Sequence, residues 1–499
     1  MAVIRTKAEY QEKSEIMEYV GNPLISALPK NLEKNDLIKA LVKIPVSCED
    51  ADRAADPSAR LEMLARISTI HIPYAHDLFI ARSLRRCICS GYMSRNPMPF
   101  ELTRQVLQEH NYTVNDHLEN YLTRAVFPVF GFSVLGISGV GKSCSVLNAL
   151  KCYPQVIDHT EYHKVPFHCA QVVWLKIDCA GDGTLKGIGT AILQGLDAVL
   201  DTHYLSEISN RVSKDMLVSK VAACLKAHHL GVLVIDDIQN LQGVKRATST
   251  DTLSFLINLM ETLAIPVVMV GTPKVLPLFQ QEFQLAKRAT GDGTVRMDLL
   301  APETSEWERF IKNIWNCQYT RKQVPLTPEF SNVFYHESVG NPFLCSLLYK
   351  LVQDDAITSG CETFTEKDVQ KVAREKLCIT NRMRQNMLEG KDEELNRYEY
   401  FWSAATMPVK ESDIDSCLRS SDNTAARNDL KSAIVTRLLH DFGISTVQAE
   451  KLASQVIAAV GTEDQAKAVG YAIKLCRAAL SEPDNNDSAT AVKEDSENA

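Results

Sequence analysis

The 499-residue chain contains no apolar run of about 18 residues or more and no basic-then-apolar leader. Neither a membrane span nor an export signal is therefore expected. A basic excess is also missing: 54 lysines and arginines face 62 acids, for a net charge of −8. Six of the acids (Glu482, Asp484, Asp487, Glu494, Asp495, Glu497) fall in the last nineteen residues, so the rest is near neutral. A nucleic-acid surface is neither required nor excluded, because one local basic patch suffices. No repeat of roughly 20–50 residues occurs, which argues against a solenoid or propeller array. Of the fourteen cysteines, Cys87 and Cys89 form a close pair with no second pair at metal-ligand spacing, so structural zinc is not expected. Cys144, Cys179, Cys224, Cys345 and Cys378 lie in apolar segments and read as free, buried thiols of a reducing cytoplasm.

At this length a single core is excluded, and about three domains of ~150 residues are expected. Residues 1–120 are mixed and mostly helical in pattern, with helical spacing in Leu61–Ile67 and His76–Ile88. Arg82, Arg85 and Arg86 make one side of the second helix basic, either as a solvated face or as a contact surface. Gly91–Pro97 reads as a turn that ends it. Over 121–302, strands alternate with helices, the signature of a parallel α/β sheet. Strands are expected at Phe132–Gly136, Val172–Asp178, Gly231–Asp236, Pro266–Gly271 and Val295–Leu299. Residues 303–388 turn helical again. After the charged break at Glu389–Glu394, residues 389–480 read as a small helical module, with helices at 426–441, 446–459 and 464–480. That module suits protein docking or, with few basic residues on its middle helix, a helix-turn-helix. The acidic tail, 481–499, reads as disordered.

The chemistry centres on Gly136-Ile137-Ser138-Gly139-Val140-Gly141-Lys142-Ser143, a G-x-x-x-x-G-K-S loop between an expected strand and an expected helix that begins near Cys144. Backbone N–H groups of such a loop cradle ATP phosphates. Lys142 adds a point charge and the Ser143 hydroxyl ligates Mg²⁺. The third strand ends in Asp236-Asp237. Asp236 is expected to help hold the metal, and Asp237 to polarise the attacking water.

Two further residues suit an AAA+ ATPase. Thr272, at the end of the fourth strand, fits the small polar group between that water and the γ-phosphate, or is a threonine in a turn before Pro273. Arg288 fits a cation reaching a neighbouring subunit's nucleotide, or is a solvated helix end. The expected fold is α/β: a parallel five-stranded AAA+ P-loop core sandwiched by helices, with a helical lid, a mixed N-terminal region and a small C-terminal helical module. Lids of this kind offer a basic residue to the nucleotide, and none stands at Gly340-Asn341-Pro342.

Over most of residues 15–350 the chain resembles the TnsC family of AAA+ regulators in TnsABC-type bacterial transposons. The resemblance rests on Asn22–Ile25 with Ala27–Pro29, Gly91-Tyr92 with Arg95–Pro97, Tyr153–Ile157, Leu175–Cys179, Leu233–Asp236 with Ile238, Gln239 and Leu241, Val270–Lys274, and Glu306-Trp307 with Trp315. It departs at Asp237, where the family usually carries Glu, one methylene longer. The resemblance implies a bacterial, DNA-dependent ATPase whose subunits form a ring (hexamer or heptamer) or helical filament around double-stranded target DNA. A TnsD- or TniQ-type selector would meet the N-terminal region, and TnsA and TnsB the C-terminal one. Pore-facing loops of such a ring touch the phosphate backbone. Lys186, with Lys245 and Arg246 behind it, are the DNA contacts this implies. A STAND-type scaffold would bring a repeat array and an origin-recognition-like loader a winged helix, and neither is visible. A metabolic P-loop kinase would need an acceptor pocket.

Overall fold

The computed structural model describes residues 3–388 apart from 12–13, 46–48, 110–111, 113–114, 116–121, 123–127, 180, 182, 210–211, 244–245, 282–286 and 289. The chain divides into Met1–Met407 and Pro408–Ala499. The second unit, the expected C-terminal helices and the tail all lie outside the described residues.

Strands β1 (Arg5–Lys7), β2 (Ser133–Gly136), β3 (Val156–Tyr162), β4 (Val165–Val172), β5 (Trp174–Asp178), β6 (Val232–Asp236), β7 (Val267–Gly271) and β8 (Thr294–Met297) form two sheets. The central one has the order β5-β6-β7-β2-β8, and every pairing in it is parallel. All residues of β2, β6 and β7 are buried, which is why they read as unbroken apolar runs rather than alternating ones. One face is covered by the helices Leu185–Leu200, Lys214–Ala227 and Arg246–Glu261, the other by Ala75–Met93 and Lys142–Leu150. All five expected strands are present, with ends shifted by two residues or fewer.

The second sheet, β1-β3-β4, is absent from the sequence-based expectation. β3 and β4 form an antiparallel hairpin whose turn, His163-Lys164, takes positive φ at both residues (47° and 66°). Asn or Gly normally marks such a turn, and neither is there. β1 adds to β3 in parallel from about 150 residues away, and Arg5 pairs with Asp158.

The described residues of the stretch 1–120 are not folded apart from the ATPase core. Leu24, Ile25 and Leu28 pack with Ile80, Leu84 and Ile88 and, beneath them, with Val134 and Val234 of the central sheet. The long helix runs through Gly91 to Met93 rather than breaking at Gly91, and glycine there lets it pack against Pro266, which a Cβ would meet at 2.8 Å. Arg85 donates to the Pro29 carbonyl and Arg86 pairs with Asp292, so two of the three arginines on this helix serve internal contacts.

The lid comprises Ser305–Trp315, Pro328–Ser338, Pro342–Thr358 and Glu366–Lys376. Its core is aromatic, with Trp315 stacked on Tyr349 at 5.1 Å and ringed by Phe330, Phe334 and Phe364. Leu64 and Ile67 of the N-terminal region enter that core. Arg60, fully buried, grips Glu362 through both terminal nitrogens and donates to the Tyr319 carbonyl. The stretch 57–77 is thus a strap that runs from the lid to the start of the Ala75–Met93 helix.

Candidate nucleotide site

Because the central strands are parallel, the carboxyl ends of β2, β7 and β6 open on one edge of the sheet. The glycine loop follows β2, Thr272 follows β7 and Asp236 ends β6, so Thr272 stands between the loop and the acids. The loop bends at Gly139 (φ 86°) and Gly141 (φ 101°), a region that side chains other than glycine rarely adopt. At Gly141 nothing lies within 4 Å of where a Cβ would sit, so the backbone conformation rather than crowding calls for glycine there. The Lys142 side chain is buried and its ammonium donates to the Ile137 carbonyl at 2.9 Å. Ser143 and Cys144 are exposed at the start of the Lys142–Leu150 helix, among the N–H groups that a helix leaves unpaired. Cys144 is therefore not a buried thiol, and neither is Cys378.

Asp236 is nearly enclosed. Its Oδ1 accepts the Asp237 amide at 3.0 Å, and its Oδ2 lies 2.9 Å from the Lys176 ammonium, which also reaches Asp178 at 2.8 Å. Burial works against the charged lysine, but the hydrogen bonds to Asp178 and Asp236 outweigh it and hold Lys176 above the usual lysine range. Asp237 has φ 53°, a left-handed conformation that costs energy for a residue with a side chain. Its Oδ1 accepts from Gln239 Nε2 at 2.9 Å, while Gln239 Oε1 accepts the Thr272 amide at 3.0 Å. One amide side chain therefore ties the proposed water-activating acid to Thr272. Gly271 makes room for it, since a Cβ there would lie 2.6 Å from Gln239 Oε1. The Thr272 hydroxyl is buried and has no hydrogen-bond partner among the described residues, an expensive state unless a ligand or water supplies one.

The lid reaches the loop without a cation at its leading turn. Asn341 Nδ2 donates to the Ser138 carbonyl at 2.9 Å, and the Phe343 amide to the Gly139 carbonyl at 3.2 Å. A cavity of about 320 Å³ opens beside this contact, lined by the strap (Ile70, His71), the loop (Gly139, Cys144) and the lid (Phe343, Lys350). Lys350 is the basic residue that the lid brings to it. His71 lies 3.1 Å from buried Asp77 and 3.8 Å from the Cys144 sulfur. Burial pulls the imidazole down, but Asp77 and Cys144 raise it to about 9. Nothing in the spacing of residues 70–77 points to a site. Gln239 lies three residues after Asp236 and was visible only as part of the family resemblance.

The remaining expected residues are dispersed. Arg288 is engaged within its own chain, pairing with Glu261, donating to the Val129 carbonyl and lying over the Phe130 ring at 5.1 Å. Lys186 is exposed in the first turn of the Leu185–Leu200 helix. Arg246 begins the Arg246–Glu261 helix, and Lys245 lies outside the described residues.

A nucleotide with Mg²⁺ fits this donor set. Ser143 and Asp236 supply hard oxygen ligands, too few alone to hold an ion and sufficient when phosphate oxygens complete the shell. The described residues contain no cluster of three His, Cys, Asp or Glu that would hold a metal without phosphate.

The sheet order, the glycine loop and the lid define an AAA+ P-loop ATPase fold. Residues 132–279 match the family model described as an AAA domain. No curated protein matches the chain. Similar solved structures include a Walker-type ATPase of Pyrococcus abyssi, at 14% identity and a TM-score of 0.33, covering 54% of this chain and 71% of that one. Cdc6p of Pyrobaculum aerophilum is similar at 14% identity and a TM-score of 0.34, covering 79% of this chain and 98% of that one.

Proposed function

We propose that the chain hydrolyses ATP and uses the nucleotide state to control its own assembly on duplex DNA, as a regulator of transposition of the TnsC type. The observation that carries the ATPase reading is the buried Thr272 hydroxyl, without a partner among the described residues, beside an acid held by Gln239 on the same sheet edge as the glycine loop. Loop amides and Lys142 would hold the phosphates, and Ser143 with Asp236 would hold Mg²⁺, which supplies charge neutralisation at the transferred phosphoryl group. Asp237 would take the proton of the attacking water, and Thr272 would fix that water's position. The regulatory reading is supported by the strings shared with the TnsC family, of which Tyr153–Ile157 and Leu175–Cys179 are not needed to bind a nucleotide. In that reading Lys186, Lys245 and Arg246 meet DNA phosphates, Arg288 serves a neighbouring subunit, and a TnsD- or TniQ-type selector and TnsA–TnsB are the protein partners.

Negative-stain microscopy and gel filtration with ATP and duplex DNA test this. Rings or filaments are expected that dissolve at high salt, and Lys142→Ala should form none. Monomers under every condition, with the parent protein binding ATP, would overturn the assembly reading.

A further inference from the structure

Lys176 sits inside β5, a strand in which Trp174, Leu175 and Ile177 are buried and apolar. A lysine there needs a reason. Strands β5 and β6 pair in register so that Asp178 lies opposite Asp236, and Lys176, two residues earlier, projects from the same face. Its ammonium contacts one carboxylate that is 5% exposed and one that is 74% exposed. With the Asp237 amide on Oδ1 and the ammonium on Oδ2, both oxygens of the expected metal-holding acid are already engaged. An ammonium and a divalent cation cannot share Asp236 Oδ2 at contact distance without strong repulsion. The exposed Asp178 offers the ammonium a second berth at little desolvation cost.

We propose that Lys176 is the resident counter-ion of the divalent-cation site: it neutralises Asp236 while the site is empty and withdraws onto Asp178 when Mg²⁺ enters with nucleotide. The Lys176–Asp178 pair then sets the Mg²⁺ concentration at which ATP is retained. Lys176 is a positioning residue in this scheme, since it acts through Asp236. The proposal rests on the reading of this edge as a Mg²⁺–ATP site.

The test is a Mg²⁺ titration of fluorescent ATP-analogue binding, read by anisotropy in the full chain, with thermal unfolding of each variant as a check on folding. Lys176→Met should lower the half-saturating Mg²⁺ concentration by about tenfold, because a unit charge a few ångströms away is worth roughly a decade even at high effective dielectric. Asp178→Asn should raise it by about threefold, since the ammonium then has only Asp236 to hold. Lys176→Arg should stay near the parent. If Lys176→Met folds poorly, Asp178→Asn decides alone, and an unchanged midpoint in that folded variant overturns the proposal. A parent protein that takes up the analogue with no Mg²⁺ dependence would overturn the site reading and this proposal together. A Mg²⁺-dependent parent with indistinguishable variants would overturn the counter-ion role only.

Discussion

The nucleotide cleft has two walls built in different ways. The phosphate wall consists of strand ends and a contiguous loop, and its functional side chains end a strand (Asp236), follow one by one to three residues (Asp237, Gln239, Thr272) or belong to the loop and the helix start after it (Lys142, Ser143). The other wall is assembled from a strap and a lid, joined by Arg60 to Glu362 across 302 residues of chain and docked on the loop by Asn341 across 203. The first wall places chemistry by local geometry. The second places it by tertiary packing and meets the loop through hydrogen bonds from Asn341 and Phe343. A switch of the proposed kind would need both: a fixed reader of phosphate, and a wall whose position depends on what fills the gap.

The largest expected effect falls on the phosphate wall. Asp237→Ala should slow phosphate release by about 10²–10⁴-fold, the usual worth of a positioned general base. Binding of the fluorescent nucleotide should stay near the parent level, because Asp237 holds no phosphate in this arrangement. Assemblies on DNA should then outlast those of the parent. Hydrolysis at the parental rate would remove Asp237 from the mechanism. Gln239→Leu should act in the same direction by about tenfold, as the loss of one hydrogen-bonded support.

On the strap–lid wall the largest effect is on stability. Arg60→Ala takes the guanidinium from the Tyr319 carbonyl and from Glu362, which keeps the Arg321 amide, in a largely buried site. Breaking such a pair costs about 3 kcal/mol. Urea unfolding should show that loss, and nucleotide affinity should fall with it as the strap loosens. If stability drops while affinity is untouched, the two walls are less coupled than the cavity lining implies.

This contrast also explains what could be read from sequence. β2, β6 and β7 are buried on both faces, so their apolar runs mark them directly, and the loop is contiguous. Thr272 and Asp236 are found because they follow such runs. The β3–β4 hairpin escapes because His163-Lys164 adopts a turn without the residues that normally signal it, and β1 because its partner lies far along the chain. His71, Lys350 and Asn341 belong to the strap and the lid, whose approach to the loop depends on an aromatic core formed from distant helices. No local period encodes that approach. Residues 1–120 read as a separate region for the same reason: helical spacing reveals an apolar face, but not which core it joins.

The smallest expected effect concerns pH and the strap alone. His71 is held near 9 by Asp77 and Cys144 against the pull of burial, whereas an unfolded histidine titrates near 6.5. A folded-state value above the unfolded one means that the stabilisation is fully present below about pH 6.5 and is lost as pH rises toward 9. Asp77 is shifted the opposite way: burial raises it, but His71 and His76 bring it below the usual carboxylate range, so its contribution fades only in acid. The parent should therefore lose unfolding free energy between pH 6.5 and 9 as His71 gives up its proton. Asp77→Asn should flatten that slope, although it lowers stability overall. A slope that survives in Asp77→Asn would assign the pH dependence to other groups and leave the strap's grip on the loop to packing alone.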